Sequence, residues 1–342
     1  MAGKTKTDKV RRRRMPEFRL PKFHMVDTGA LKLRCAIQGE GPLVLMVHGF
    51  PESWYSWRHQ MTPIAEAGFT ACAIDVRGYG GSDKPPQIAD YAMSQMTSDV
   101  AGVIEALSPQ EKAVIIGHDW GAPIVWNTAL TRPDRVRAVA GLSVPYTGVG
   151  TRSMSEMIEA VFTSRGRFFY QAYFQTPGVA EAEMEADVRG ALRRFYYAIS
   201  GDAPDGTWPN DKLHGDPLLL RLPDPQPFPA WLSDADIDYF TGEFEGSGFR
   251  GPINRYRNHD LDFAWLQAFR DRKIEQPSLF IGGERDLVLT MFGRVDFVPI
   301  MKSVMTDLRG ADILPGCGHW TQQERPDEVN VRLMAWLKSL DA

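Results

Sequence analysis

The sequence predicts an α/β protein with a mostly parallel central sheet, helices on both faces of that sheet and one inserted helical lid. Short apolar runs alternate with longer amphipathic stretches, which is typical of strands joined by crossover helices. Within each run the apolar residues are consecutive, so we expect strands that are covered on both faces. The runs span residues 42–47, 69–74, 113–116, 136–144, 278–283 and 311–314.

This alternation stops in the middle of the chain. No apolar strand pattern occurs in residues 147–262, where aromatic amphipathic stretches alternate with loops rich in Pro, Gly and Asp. We therefore predict that residues 147–262 form a helical lid (cap) domain, inserted into a core domain of residues 21–146 and 263–342. Residues 1–20, which include a run of arginines, are predicted to form a basic disordered tail.

The composition limits the partners that the chain can bind. Its 342 residues include 43% hydrophobic side chains, enough for a sizeable core. Of 39 Lys and Arg, seven lie in the first fourteen residues beside a single acid, so the rest of the chain is acidic and is not expected to bind nucleic acid. No apolar segment is long enough to span a membrane. The tail lacks the apolar region of a secretion signal, so we expect a cytoplasmic protein.

The three cysteines give no sign of a metal or a disulfide framework. Cys35, Cys72 and Cys317 are too few and too scattered for either. Cys35 and Cys72 lie in apolar strand-like runs and are expected to be buried. We predict no metal and no cofactor, and the sequence leaves the oligomeric state open between monomer and homodimer.

The most informative motif joins a strand to a helix. The apolar run at 113–116 leads directly into Gly117-His-Asp119-Trp120-Gly121. In a turn of this kind the central residue is a nucleophile lifted above the sheet edge, and side chains at the two glycine positions would clash. A helix N-cap is the competing explanation for an Asp at this point. The residues that follow later in the chain favour the nucleophile.

Two later residues complete the order nucleophile, acid, histidine, which is typical of enzymes with such a turn. Asp286 ends a glycine turn after the run at 278–283, and His319 follows the last predicted strand. We predict that His319 is the general base and that Asp286 orients it. Glu284 is the second choice for the acid, and His118 is expected to pack under the turn.

An aspartate nucleophile predicts different chemistry from a serine. A carboxylate can attack a saturated carbon and form an alkyl ester, which activated water then hydrolyses, so esterase chemistry is disfavoured. The ester carbonyl needs hydrogen-bond donors, and we predict that the backbone NH groups of Phe50 and Trp120 form this oxyanion hole. Phe50, Pro51, Trp54 and Trp120 are predicted to line an apolar substrate pocket.

These motifs resemble those of the α/β-hydrolase-fold epoxide hydrolases. The resemblance implies that the protein opens small apolar epoxides with water to vicinal diols through an ester on Asp119. It also implies that two lid tyrosines, Tyr173 and Tyr256, donate hydrogen bonds to the epoxide oxygen, where ring opening develops alkoxide charge. Residues 201–228 do not match the family pattern. The matching segments are 48–54, 75–82, 117–121 and, in the lid, 173–178 and 248–258.

Three alternatives remain open. A haloalkane dehalogenase would use the same Asp-His-Asp triad, but Phe50 stands where those enzymes often carry Asn, and the paired lid tyrosines favour an epoxide. A fluoroacetate dehalogenase usually has Arg after the nucleophile, where this chain has Trp120. A non-catalytic ligand-binding protein with the hydrolase fold would not need a nucleophile, a base, an acid and phenol donors together.

Overall fold

Eight strands form the central sheet in the part of the chain that the computed structural model describes, residues 21–291, 293 and 295–340. The predicted tail of residues 1–20 lies outside the described residues. The strands are β1 Lys22–Asp27, β2 Lys32–Gln38, β3 Leu43–Val47, β4 Thr70–Ile74, β5 Ala113–His118, β6 Val136–Leu142, β7 Ser278–Gly283 and β8 Leu308–Leu314. Their order in the sheet is β1-β2-β4-β3-β5-β6-β7-β8.

The sheet is mostly parallel, as predicted. β4, β3, β5, β6, β7 and β8 pair in parallel, whereas β2 is antiparallel to both β1 and β4. Every residue of β3 and β5 is buried, which explains their uninterrupted apolar sequences. The sequence analysis missed β1 and recognised β2 only as the strand-like run around Cys35, which is buried as expected. In β1 only Val26 is buried, and a strand at the sheet edge with such exposure has no continuous apolar run to mark it.

The helices cover both faces of the sheet and fill the segment between β6 and β7. No helix in the described part of the chain combines the length and the apolarity that crossing a bilayer requires. Short 3-10 helices cover Trp54–Trp57, Ile88–Tyr91, Thr163–Arg165, Arg255–Asn258 and Gln267–Phe269. The α-helices are α1 Arg58–Glu66, α2 Met93–Leu107, α3 Gly121–Thr131, α4 Met154–Val161, α5 Tyr170–Tyr173, α6 Val179–Glu185, α7 Val188–Ala198, α8 Asp234–Ser247, α9 Arg250–Asn254, α10 His259–Leu266, α11 Leu287–Thr290, α12 Phe297–Val304, α13 Thr321–Glu324 and α14 Pro326–Ser339.

The segment that was predicted as a lid is helical. It contains α4 to α9 and the start of α10, so the predicted boundary at residue 262 falls inside a helix. Its helices begin at recognisable caps: the Ser153 and Ser233 side chains accept hydrogen bonds from the amides of Glu156 and Asp236 at the starts of α4 and α8. These caps satisfy backbone donors that a helix start would otherwise leave unpaired.

Aromatic side chains join the lid to the core above the carboxyl end of β3. The Phe50 ring, just after β3, lies edge-on to the rings of Phe174 and Tyr256, each with its centroid 5.5 Å away. The hydroxyl of Tyr196 in α7 donates a 2.9 Å hydrogen bond to the carbonyl of Pro51. The lid is therefore fixed over the same sheet edge at which the strand-to-helix turn after β5 lies.

We expect the stability of the fold to depend on packing in β5. Ile115 has no exposed surface, and the variant Ile115→Ala should lower the free energy of unfolding by about 2–5 kcal/mol because it leaves a cavity between two covered faces. The matched variant Ile313→Ala, at an edge-strand residue that is 47% exposed, should change it by less than about 1 kcal/mol. Urea unfolding followed by circular dichroism measures both, and equal effects would contradict the expectation.

Candidate active site

The turn between β5 and α3 holds Asp119 in a backbone conformation that is rare for a residue with a side chain. Its φ is 50°, in the left-handed region. A Cβ on Gly117 would lie 2.1 Å from the Gly121 carbonyl oxygen, and a Cβ on Gly121 would lie 2.0 Å from that of Val47. Both glycines are therefore required by backbone contacts, and the predicted sharp turn is present.

The structure brings Asp119, His319 and Asp286 together. His319 Nε2 lies 3.2 Å from Asp119 Oδ2, and His319 Nδ1 lies 3.0 Å and 3.1 Å from the two Asp286 oxygens. The Val288 amide donates a 2.8 Å hydrogen bond to Asp286 Oδ1 and so fixes its carboxylate. Glu284, the second choice for the acid, accepts a hydrogen bond from the Gly316 amide instead.

One of the two predicted oxyanion donors contacts the Asp119 carboxylate. The Phe50 amide donates a 2.8 Å hydrogen bond to Asp119 Oδ1. Trp120 directly follows Asp119 and is the N-cap residue of α3. The role of its amide remains a prediction.

The electrostatics of the three groups are coupled. Burial by itself would raise the pKa of Asp119, but its hydrogen bond with His319 and the charge on that ring hold the pKa below its usual value. Burial would likewise lower the pKa of His319, but the Asp286 charge and the hydrogen bond with Asp119 raise that pKa well above the usual value. Both shifts favour the carboxylate form of Asp119 and the protonated form of His319.

A second layer of buried polar groups supports the turn and the His319 loop from below. His118 Nδ1 lies 2.8 Å from Glu52 Oε2, and His118 Nε2 lies 2.8 Å from the backbone carbonyl of His319. The Ser143 hydroxyl donates a 2.6 Å hydrogen bond to the same carbonyl. The packing of His118 under the turn agrees with the sequence analysis, whereas Glu52 and Ser143 were missed.

Glu324 fixes the loop that carries His319. Its carboxylate accepts hydrogen bonds from the amides of Gly318 and Trp320, which flank His319, at 2.9 Å and 3.0 Å, and from the Gly201 amide at 2.8 Å. Burial raises the pKa of Glu324, although the three amides oppose the shift. No local sequence signal marks this residue, because its partners come from two separate segments, the His319 loop and the start of the 201–228 stretch.

Two hollows have Asp119 in their linings. The small compartment, about 30 Å³, is lined by Phe50, Trp208, Tyr256 and His319 among others, and the large compartment, about 330 Å³, by Trp120, Trp126 and Phe263 among others. Asp119 and Tyr170 line both. The Asp119 carboxylate is thus accessible to a ligand from a mainly apolar interior.

Comparison with known proteins agrees with this geometry. Residues 42–326 match the alpha/beta hydrolase fold family. The chain is 39% identical to Epoxide hydrolase A of Mycobacterium tuberculosis, over 94% of this chain and 98% of that one. Among solved structures, an epoxide hydrolase from an endophytic Streptomyces superposes with a TM-score of 0.87 and 47% identity, over 94% of this chain and 96% of that one. Potato epoxide hydrolase I superposes with a TM-score of 0.83 and 31% identity, over 93% and 99%.

The chain belongs to the α/β-hydrolase-fold epoxide hydrolases. The resemblance inferred from the sequence motifs is thereby confirmed. The similarity extends across core and lid alike, because it covers more than nine-tenths of this chain.

In this family member the lid tyrosines differ from the prediction. Tyr256 lines the small compartment as expected, but Tyr173 lines neither hollow: its hydroxyl donates a 2.7 Å hydrogen bond to Glu183, within the lid. Tyr170, which the sequence analysis did not assign to the site, lines both hollows, and its ring centroid lies 5.8 Å from that of Tyr256. Tyr170, and not Tyr173, is therefore the lid tyrosine that lines the small compartment together with Tyr256.

Two of the predicted pocket residues also need correction. Phe50 lines the small compartment and Trp120 lines the large one, whereas Trp54 and Pro51 line neither. The Trp54 indole is buried against Phe23 of β1 and donates a 2.9 Å hydrogen bond to the hydroxyl of Tyr239. The Trp54 amide donates a 3.0 Å hydrogen bond to the Asp75 carboxylate.

We expect the turn to tolerate no side chain at Gly121. The variant Gly121→Ala should lower the free energy of unfolding by about 1–3 kcal/mol, because its Cβ meets backbone that cannot move aside. Displacement of Asp119 should reduce turnover by about 100-fold. The matched variant Gly242→Ala in α8, where a Cβ would meet nothing within 4 Å, should keep full activity. Thermal unfolding and initial rates test both, and an active, stable Gly121→Ala would contradict the steric argument.

Proposed function

We propose that this chain hydrolyses epoxides to vicinal diols through a covalent ester on Asp119. The observation that carries the proposal is a buried carboxylate between the Phe50 amide and His319, in a compartment that two lid phenols also line. A carboxylate nucleophile can attack a strained saturated carbon, and phenols can donate hydrogen bonds and a proton to the epoxide oxygen as its bond to that carbon breaks. The relatives named as epoxide hydrolases support the same reaction.

In the first step Asp119 Oδ2 forms a bond to one epoxide carbon, and the bond from that carbon to the ring oxygen breaks. The electron pair goes to the oxygen, which takes a proton from Tyr170 or Tyr256. Burial and the Asp119 charge raise the pKa of both phenols, so they are protonated and able to donate at neutral pH. The Gln171 side-chain amide donates a 2.8 Å hydrogen bond to the Tyr170 oxygen, which leaves the phenol proton for the substrate.

The second step hydrolyses the ester. Asp119 Oδ1 becomes the ester carbonyl oxygen and keeps the hydrogen bond from the Phe50 amide. Once Asp119 is an uncharged ester, Asp286 is the one remaining carboxylate that stabilises the protonated form of His319. The pKa of His319 therefore falls. The imidazolium returns a proton to the phenolate, and neutral His319 then takes a proton from water. The water oxygen attacks the ester carbon, and the bond from that carbon to the alcohol oxygen breaks as this oxygen takes the proton from His319. The diol leaves, and the remaining water proton, now on the Asp119 carboxyl group, passes to neutral His319, which restores the carboxylate and the imidazolium.

Single turnover in oxygen-18 water tests the covalent route. With enzyme in excess over styrene oxide, the first turnover should place the label in Asp119 and give unlabelled diol, because water attacks the ester carbon and not the substrate. Mass spectrometry of the peptide that contains Asp119 measures the label. Label in the diol with none in Asp119 would reject the covalent step. Bromide release from bromoalkanes without any diol formation would favour a dehalogenase instead.

Two tyrosine variants separate catalytic from structural phenols. Tyr170→Phe should lower kcat/KM by about 100-fold, because the alkoxide loses a proton donor. Tyr173→Phe, three residues away on the same helix, should keep most of the activity and lose about 0.5–1.5 kcal/mol of stability with the Glu183 hydrogen bond. Steady-state rates and thermal unfolding of the two variants test the assignment. Loss of activity in Tyr173→Phe alone would restore the residue that the sequence first suggested.

A further inference from the structure

The two hollows beside Asp119 differ about tenfold in volume. The large compartment measures about 330 Å³ and the small one about 30 Å³. Known small-molecule sites range from about 300 to 1,000 Å³, so only the large compartment can take an extended group. One water molecule needs about 10–15 Å³ of such cavity volume, so the small compartment has room for the reacting atoms and little else.

The chemistry identifies what each compartment must hold. His319 and Tyr256 line the small compartment and are absent from the lining of the large one. If the function proposed above holds, the epoxide oxygen and the ring carbon that Asp119 attacks lie in the small compartment. A substituent on the other carbon then extends past Asp119 into the large compartment, beside Trp120 and Phe263.

Trp208 closes the far side of the small compartment. Its indole lies edge-on to Tyr170 and to Phe195, with ring centroids 6.2 Å and 6.0 Å away. Ile199 lines the same wall, and its backbone carbonyl accepts a 3.0 Å hydrogen bond from the His319 amide, so this wall is tied to the loop of the base. Trp208 comes from residues 201–228, the segment that matched no family pattern in the sequence.

Trp208 is partly buried and packs against two aromatic rings of the lid. The Phe195 ring belongs to α7 and is buried. The Tyr170 ring carries a phenol that the proposed reaction uses. A second large substituent on the epoxide would therefore have to displace the indole from both ring contacts, at a cost similar to that of overpacking.

We propose that Trp208 selects terminal epoxides, in which one carbon carries a single large alkyl or aryl group and the other carries only hydrogen. The large group occupies the large compartment. The unsubstituted carbon faces Trp208. An epoxide with long groups on both carbons does not fit, because its second group has no space beyond the indole.

Two isomers of equal size test this selection: 1,2-epoxyoctane, with one long chain, and trans-4,5-epoxyoctane, with a propyl group on each carbon. The wild-type kcat/KM for the internal isomer should be at least about 100-fold below that for the terminal isomer. In Trp208→Ala the ratio of internal to terminal kcat/KM should rise at least tenfold, because the indole is removed. This change in ratio cancels the intrinsic reactivity of the two epoxides.

The control is Trp231→Ala, a partly buried lid tryptophan that lines neither compartment and donates a 3.0 Å hydrogen bond to Asp202. Its ratio should equal that of the wild type. If Trp208→Ala does not fold, Ile199→Ala opens the same wall, keeps the backbone hydrogen bond to His319 and should raise the ratio in the same direction. Equal wild-type rates for the two isomers, or equal ratios in the Trp208 and Trp231 variants, would overturn the inference alone. Failure to form diol from either isomer would overturn the proposed function itself.

Discussion

The arrangement of this protein depends on keeping one carboxylate charged in a buried place. Asp119 is only 9% exposed, and burial opposes its ionisation. Two contacts compensate: the Phe50 amide on one oxygen and the His319 ring on the other. Both belong to loops that follow different strands, so the contacts that favour the charged form of Asp119 exist because the parallel sheet brings the carboxyl ends of those strands to one edge. The charge on Asp119 is thus a property of the fold.

The same requirement explains the second layer of polar residues. The His319 ring keeps its contacts with the two aspartates only if its loop stays in place. Glu324 and the pair of Glu52 and His118 fix that loop through its backbone. Burial opposes the ionisation of Glu52, but its contact with His118 keeps the pKa of Glu52 below its usual value. These groups contact neither hollow directly. Their effect on chemistry is to hold the distance between His319 and the two aspartates.

The lid supplies what the core turn lacks. It places two phenols near the nucleophile and closes the reacting space with Phe195 and Trp208. Core motifs were predictable because each is short and local: a glycine turn after an apolar strand specifies its own geometry. The lid assignments failed at Tyr173 because Tyr170 and Tyr173 stand on one four-residue helix. Tyr173 donates its hydrogen bond to Glu183, ten residues further along the chain, whereas Tyr170 lines the hollows. Only the position of Glu183 distinguishes the two phenols.

The sequence by itself determined the α/β architecture, the identity of Asp119, His319 and Asp286 and the helical nature of the lid, because continuous apolar runs and tight glycine turns act over a few neighbouring residues. The tertiary structure alone decided which tyrosine lines the hollows, that Trp54 turns toward β1 and Tyr239, and that Trp208 limits the small compartment. The physical reason is that these outcomes depend on contacts between residues far apart in the chain. The direction of a side chain depends on the residue that it contacts in the folded chain, and a local sequence pattern does not identify that residue.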